Sequence, residues 1–293
     1  MKSKADKIRR VGLIGNPAKV SCARTVERAA KLIRAAGRKL FCDPATAQLA
    51  QIHATVCPDT VTLARSVDLL LVFGGDGTML RVARDIAGSR TPVLGINVGG
   101  LGFLTAVPSD QLVRAFKHLW RGEFNFERRA LIEAEVRNGS HRVRKLALND
   151  IVIGRGEVSR LIELEVDVNG EPLTNYRCDG LIVSSPTGST AYSLAAGGAV
   201  VLPTAEVFAL TPICAHTLSN RSLIVPLSGP IRIRPVSQTA TILSADGEIV
   251  SGLSPGDVVT VRRSRNSVRI MHLTGSSFFE ALRRKLHWRG ASL

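Results

Sequence analysis

Apolar and polar positions along the chain follow two regimes, with the change near residue 128. In the first, strand-length apolar runs alternate with stretches at helical spacing. Val11–Gly15 reads as a strand closed by an Asn16–Pro17 turn. From about Ser21, Val26, Ala29/Ala30 and Ile33 recur on one helical face, and Gly37 is the stop. Lys39–Cys42 is a short second strand. Leu69–Phe73 is a third, apolar on both faces as a central parallel strand is. A helix over Thr78–Ala87 carries Leu80, Ala83 and Ile86/Ala87, and Thr91–Pro92 introduces a fourth strand, Val93–Ile96. Ser109 is placed to cap a helix bearing Leu112, Phe116 and Leu119, which Gly122 ends. This alternation predicts a doubly wound parallel α/β domain over residues 1–127, with ligands at the carboxyl ends of its strands.

Beyond Phe126 the period becomes two. Leu131–Val136 and Leu161–Val168 alternate, each followed by a hairpin-type pair, Asn138–Gly139 and Asn169–Gly170. Ile231–Pro235, Thr241–Ser244 and Val258–Arg262 are further strands. Residues 128–269 are therefore expected to form an all-β, sandwich-like domain. A last helix, Ser276–Leu286, carries Phe279, Leu282 and Leu286 on one face, and segment 270–293 is a candidate to pack back on the first domain.

Composition agrees with two domains: 293 residues, 45% hydrophobic and 4% aromatic, leave aliphatic side chains to fill two cores. No stretch approaches the roughly 20 apolar residues of a membrane span. Met1–Lys4 is basic, but Val11–Gly15 is too short and glycine-broken for a signal segment, so a cytoplasmic protein is expected. Cys22, Cys42, Cys57, Cys178 and Cys214 are odd in number and lack a C-x-x-C pair, which points to reduced, buried thiols. The histidines form no H-x-x-x-H pair, so no tightly bound metal is expected. The formal charge of +15 collects at Lys2–Arg10, at Arg262, Arg263, Arg265 and Arg269, and at Arg283–Lys285 with Arg289. Nucleic-acid binding would explain it, but no zinc finger, RNP-like strand or stacking aromatics accompany it. Solvated tails and attraction for polyanionic small substrates are the preferred account, so neither a nucleic-acid nor a membrane partner is expected.

The chemistry centres on Leu69–Leu80, where an apolar strand ends in Gly74-Gly75-Asp76-Gly77-Thr78 and a helix begins. Backbone N–H groups and the helix dipole there favour an anion, so Gly74, Gly75, Gly77 and Thr78 are candidate phosphate ligands. Asp76 is the odd member, since a phosphate repels a carboxylate. It suits proton removal from a hydroxyl nucleophile, or help in holding Mg²⁺; an ordinary N-cap aspartate is the competing structural account. A second unusual run, Asp179–Tyr192 continuing to Gly198, crowds small hydroxyl residues between a strand-like run and glycines. It suits a dinucleotide lying close to the main chain, although any four of its residues would pass for a β-turn. G-x-S-x-G is absent, and no histidine is placed to activate a serine.

Gly74–Thr78 alone resembles a signature shared by NAD kinases, lipid kinases of the diacylglycerol type and phosphofructokinases. Together with Gly95-Ile96-Asn97 through Leu101–Thr105, Asn149-Asp150, Asp179–Tyr192 and Pro212–Ser219, the chain resembles the NAD kinase family over residues 11–287. Departures are Asp150 where relatives often carry glutamate, Ser185 for threonine, Ala195 for serine, and Ala215 and Ser222 for prolines. The resemblance implies transfer of the terminal phosphoryl group of ATP, or of polyphosphate, to the adenosine ribose 2′-hydroxyl of NAD, with Mg²⁺ or another divalent cation. It implies Asp76 as general base and Gly77 as a phosphate or ribose contact. Asn149 and Asp150 would hold the adenosine portion. Thr187, Thr190, Ala191 and Tyr192 would line the pocket, with Ala195 beside them. Asp179 would meet the nicotinamide end, often from a neighbouring subunit. Arg81, Arg160 and Arg177 are candidate phosphate contacts, with solvated surface positions the competing account, and Glu248 is a weaker candidate. A homodimer or homotetramer is implied. A lipid kinase and a basic nucleic-acid-binding protein remain the alternatives.

Overall fold

The computed structural model describes residues 4–100, 102–138, 141–157, 160–216 and 221–288. Gly139 of the first hairpin pair, Leu101, Thr217–Ser219, Lys2 and Arg289 lie outside them. The chain divides into two compact units, one up to Arg128 and again from Val268, the other Arg129–Ser267.

The first unit runs β1 (Arg10–Gly15), α1 (Val20–Ala35), β2 (Lys39–Cys42), α2 (Pro44–Ala50), β3 (Thr55–Val56), α3 (Thr60–Ser66), β4 (Leu69–Gly74), α4 (Asp76–Asp85), β5 (Val93–Asn97), β6 (Val107–Pro108) and α5 (Leu112–Arg121). Strand order is β3-β2-β1-β4-β5, all parallel, with Ile270 of the returning chain beside Val93. The order reverses between β1 and β4, so the crevice beyond their carboxyl ends is the switch point of a doubly wound sheet. Every residue of β4 is buried. Leu69, Leu71 and Phe73 join α1 and α5 in one core, and Leu70 and Val72 face the other way, as the two-sided apolar run requires.

The helix after β4 begins at Asp76, two residues earlier than its apolar period indicates, with Gly75 as N-cap. Ser109 does not cap α5: a 3₁₀ turn, Ser109–Gln111, intervenes, and Gly122 closes the helix at φ 74°. Helices α2 and α3 span seven residues each, too short for a period to show.

The chain continues with β7 (Phe124–Asn138), which enters the second unit at Arg129, then β8 (His141–Ala147), β9 (Asp150–Arg155), β10 (Ile162–Val168), β11 (Glu171–Cys178), β12 (Gly180–Ser184), α6 (Tyr192–Ala195), β13 (Val207–Ile213), β14 (Leu223–Pro226), β15 (Ile231–Pro235), β16 (Thr241–Ala245), β17 (Glu248–Leu253) and β18 (Val258–Leu273), which returns to the first unit at Val268. One antiparallel sheet orders β14-β13-β12-β9-β16-β17, and a second sets β11, β10, β15 and the start of β18 side by side. Their inner faces share a core that includes Leu164, Ile231 and Val259 from one and Ile151, Leu181 and Phe208 from the other. On β15, Ile231 and Ile233 point inward and Arg232 and Arg234 outward. Asn169–Gly170 turns between β10 and β11 at φ 57° and 87°, the type I′ geometry its residues favour. Strand β18 runs well past the predicted Arg262, and Arg262 and Arg263 are ion-paired to Glu133 and Glu206 rather than part of a solvated tail.

The chain ends in α7 (Phe278–Lys285), capped by Ser277 accepting from Glu280 N. Its inward residues are Leu282 and Phe278; Phe279, expected on that face, is exposed. Four cysteines are buried, but Cys214 is exposed, so filling a core is not its role.

Candidate active site

In the first unit the glycine turn is built by close packing. A Cβ on Gly74 would lie 2.4 Å from Thr78 Oγ1, so only glycine lets the chain leave β4 this tightly. Asn16 Nδ2 donates to that hydroxyl at 3.1 Å, latching the loop after β1 to the first turn of α4. Of the first-turn N–H groups of α4, that of Thr78 donates to Gly75 O at 3.1 Å, those of Asp76 and Gly77 have no partner among the described residues, no side chain caps them, and Gly77 is exposed.

Asp76 is not the N-cap. Its Oδ2 accepts from Phe103 N at 2.7 Å, and its Oδ1 accepts from Leu104 N, Thr105 N and Thr105 Oγ1 at 3.1, 3.2 and 3.2 Å. The second glycine-rich block is therefore the cradle of the first block's carboxylate. Asn97, 4% exposed, extends the network, donating through Nδ2 to Thr105 Oγ1 at 2.9 Å and Gly100 O at 2.8 Å. The Phe103 ring lies 6.5 Å from that of Phe278, with Lys285 Nζ 4.8 Å from its centroid, so α7 backs the cradle. Oδ1 carries three of the donors and Oδ2 one, which leaves Oδ2 the oxygen with spare acceptor capacity.

Lys19 is a functional candidate that the periodicity did not single out. Its Nζ donates to Val98 O at 2.9 Å, and a Cβ on Gly99 or Gly75 would lie 3.1 or 3.6 Å from it. An ammonium beside a helix N-terminus opposes the helix dipole, a placement that an intervening anion would relieve. The available signal was the turn Asn16-Pro17-Ala18-Lys19 after the first strand. Arg81 pairs with Asp85 one helical turn on, at 3.3 Å.

In the second unit Asn149 and Asp150 open β9 and are held by a residue far along the chain. Asp246 Oδ2 accepts from Leu148 N at 3.0 Å, and Oδ1 from Asn149 N and Asp150 N at 2.8 and 3.3 Å. Asp246–Gly247 achieves this with φ 49° and 80° in the turn between β16 and β17. The side chains of Asn149 and Asp150 make no hydrogen bond among the described residues.

Burial, and secondarily the Asp246 charge, pushes the Asp150 carboxyl up from 3.8 to about 7. The folded chain then keeps a proton that the unfolded chain loses, so stability falls as pH rises from about 4 to about 7 and is level above that. Asp150→Asn is expected to abolish that slope and to raise stability at pH 8 by on the order of 2–4 kcal/mol. Urea melts at pH 5 and pH 8 read this out; an unchanged difference between them contradicts the assignment.

The hydroxyl-rich run differs from its sequence reading. Ser185 Oγ donates to Leu148 O and accepts from Gly188 N, and Ser189 Oγ donates to Pro186 O and accepts from Val201 N. Ser193 bonds to Thr211, and Ser184 donates to Ser185 O. These hydroxyls build the loop rather than offer themselves to a ligand. A Cβ on Gly188 would lie 2.2 Å from Asn149 O, which locks the run against Asn149. Thr187 is buried, with Arg129 Nη1 donating to its Oγ1 at 3.4 Å; Thr190 and Ala191 are half-buried, and Tyr192 and Ala195 are exposed. Glu248 pairs with Lys145 at 3.3 Å, just past the Asp246 turn.

Asp179 lies elsewhere in this unit. It precedes β12, whereas Ser184 ends it, so about five residues, or ~17 Å, separate Asp179 from the hydroxyl run. There it pairs with Arg155 at 3.1 Å. Arg177, beside it in sequence, is exposed and pairs with Glu163 at 3.7 Å, and Arg160 is exposed. The predicted site residues of this unit thus form two groups, one around Asn149 and one around Asp179.

Comparison with known proteins gives consistent matches. The family model described as ATP-NAD kinase N-terminal domain covers residues 11–124, and that described as ATP-NAD kinase C-terminal domain covers 148–273. The NAD kinase of Polaromonas naphthalenivorans is 39% identical over 281 residues, 96% of this chain and 97% of the relative. That of Laribacter hongkongensis is 38% identical over 281 residues, with the same coverage of 96% and 97%. Among solved structures, yeast NADH kinase complexed with NADH aligns with TM-score 0.87 at 25% identity, over 97% of this chain and 89% of that one. An NAD kinase from Archaeoglobus fulgidus in complex with ATP has the same fold, with TM-score 0.74 at 23% identity, over 96% and 100% of the two chains.

Proposed function

The chain belongs to the NAD kinase family, and from that premise we infer how its residues serve the reaction. The protein transfers the terminal phosphoryl group of ATP to the 2′-hydroxyl of the adenosine ribose of NAD, yielding NADP. The observation that carries the residue assignment is the Asp76 carboxylate, held in place by the Phe103–Thr105 amides at the mouth of an uncapped helix.

In this reading the first-turn N–H groups of α4, with Gly74, Gly75, Gly77 and Thr78, bind the phosphates of ATP, and Lys19 and Arg81 neutralise them. The 2′-oxygen attacks the terminal phosphorus in line while its proton passes to Asp76 Oδ2, and ADP leaves. Asn149 and Asp150 hold the adenosine through side chains that have no hydrogen bond among the described residues. Thr187, Thr190, Ala191, Tyr192, Ala195 and Glu248 line the rest of the dinucleotide. Asp179, with Arg160 and Arg177, meets the nicotinamide end of a substrate held by a neighbouring subunit, as its distance from the hydroxyl run favours. A homodimer or homotetramer follows from that role. No helix among the described residues is long and apolar enough to cross a membrane, and we assign a cytoplasmic location.

No group of three or more His, Cys, Asp or Glu among the described residues could hold a metal ion unaided. A single carboxylate beside a phosphate site fits Mg²⁺ carried on the phosphates, which would hold it chiefly themselves, since Asp76 Oδ2 is kept for the proton. When bound, Mg²⁺ supplies neutralisation of charge on the phosphoryl oxygens.

Measurement of NADP or NADPH formation, with ATP and polyphosphate as donors and NAD and NADH as acceptors, tests the function and defines its specificity. No product with any pair would refute it. The matches lend no support to a lipid kinase or a nucleic-acid-binding protein. Lys19→Ala is expected to raise KM for ATP about tenfold, the loss of one charge-assisted bond, with KM for NAD near native. Initial rates with each substrate varied decide this; equal effects on both constants would remove Lys19 from the phosphate site.

A further inference from the structure

The first unit carries a concavity of about 490 Å³, lined by Lys4, Lys7, Arg90, Arg269, Asp68 and Phe126 over an apolar floor that includes Ile8, Val67 and Pro92. Asp68 and Pro92 immediately precede β4 and β5, and Arg269 precedes Ile270, the residue registered with Val93. The pocket therefore sits at the amino ends of the strands whose carboxyl ends carry the glycine turn. The six residues of β4 separate the two by roughly 20 Å, so the pocket is not part of the phosphoryl-transfer site.

Its charge is unbalanced. Four cations face one carboxylate, and that carboxylate is occupied: Asp68 accepts from Arg9 N, Arg10 N and Arg10 Nη2 at 2.9, 2.8 and 2.8 Å. Lys4 Nζ donates to Phe124 O at 3.4 Å and Arg269 Nη1 to Arg90 O at 3.3 Å, both neutral acceptors. The side chains of Lys7 and Arg90 have no hydrogen-bond or ion-pair partner among the described residues. Cations gathered in a concave site repel one another unless an anion joins them. The pocket also offers a stacking platform. Arg269 lies 4.6 Å from the centroid of the Phe126 ring, which is 42% exposed, and Phe124 meets that ring edge-on at 5.4 Å.

We propose that this pocket binds a nucleoside monophosphate, its phosphate held by Lys7 and Arg90 with Lys4, and its base stacked on the Phe126–Arg269 pair. The volume lies in the usual range for a small-ligand site. Guanidinium and aromatic planes accept any base, so the site selects a phosphate joined to a flat ring rather than one particular base. Part of the excess positive charge, including the Lys4–Lys7 segment that phosphoryl transfer leaves unused, thereby has a ligand.

Calorimetric titration of the full chain with AMP, GMP, adenosine and inorganic phosphate at about 50 mM salt tests this, comparing wild type with Lys7→Glu/Arg90→Glu and with Phe126→Ala. A binding event for AMP and GMP that the double charge reversal weakens at least about tenfold is expected, as loss of charge-assisted bonds requires. Phe126→Ala is expected to weaken the nucleotides and leave inorganic phosphate unchanged. NADP formation by the charge-reversal protein should stay within about twofold of wild type, so failure at this pocket and failure of the phosphotransferase reading give separate results. Nucleotide affinities and stoichiometry identical in wild type and charge-reversal protein would overturn the site. Inorganic phosphate binding there as tightly as AMP would overturn the ligand class.

Discussion

Turnover of the Asp76→Asn protein is expected to fall by roughly 10²- to 10⁴-fold, the usual contribution of a positioned base. The amide cannot take the proton that the 2′-oxygen must lose. A second loss accompanies it, because Asp76 accepts four hydrogen bonds, from Phe103 N, Leu104 N, Thr105 N and Thr105 Oγ1. Asparagine accepts on one terminal atom only, so its NH₂ confronts a backbone donor, at a cost of about 1–3 kcal/mol for the partner left unsatisfied. A lower melting temperature should therefore appear with the lower rate, while NAD affinity stays close to native. Thr105→Val provides the control: it removes one donor from the cradle and keeps the carboxylate. An equal fall in turnover in both variants would assign the effect to loop placement instead of proton transfer. Near-native turnover in Asp76→Asn would eliminate the base assignment.

Gly102→Ala is expected to lower kcat by about 10², although the residue has no functional group of its own. A Cβ there would lie 1.9 Å from Asp76 Oδ1 and 2.4 Å from Thr105 Oγ1. Both neighbours are held by the loop itself, so the added carbon displaces the carboxylate and its donors together. A displacement near 1 Å in a reacting group costs on the order of 10² in rate. The effect should fall on kcat, with KM for ATP changed little, since the N–H groups of the first turn of α4 lie outside the contact. Stopped-flow measurement of the first turnover separates this from slow product release. A rate within threefold of wild type would show that the cradle accommodates the methyl group.

Several elements were legible because their signal is local. Leu69–Phe73 is apolar on both faces, and a parallel strand covered on both sides needs nothing else. Asn169–Gly170 names its own turn, since few other residue pairs adopt two positive φ angles without strain. Helices α2 and α3 were missed for the opposite reason: seven residues hold too little periodicity. The structure caps both with an aspartate, Asp43 accepting from Thr46 N and Asp59 from Thr62 N. Phe279 was assigned to the buried face of α7 in place of Phe278, because two adjacent aromatics do not reveal which one the fold turns inward.

The site divides in the same way. Gly74–Thr78 stands out as a residue string with a carboxylate where a phosphate cradle does not call for one, whereas Asn149–Asp150 is marked only by the family resemblance. The hydroxyl run stands out too, yet its serines point into its own backbone, which composition does not reveal.

From sequence came the two-regime organisation, the glycine turn with its carboxylate, and the family to which the blocks belong. The tertiary structure decided what holds those groups. Phe103–Thr105 cradle Asp76 from 27 to 29 positions away, and Asp246 fixes the Leu148–Asp150 amides from 96 to 98 positions away. Periodicity and propensity act over a few residues, whereas these contacts exist only after strands distant in sequence pair and bring their ends together.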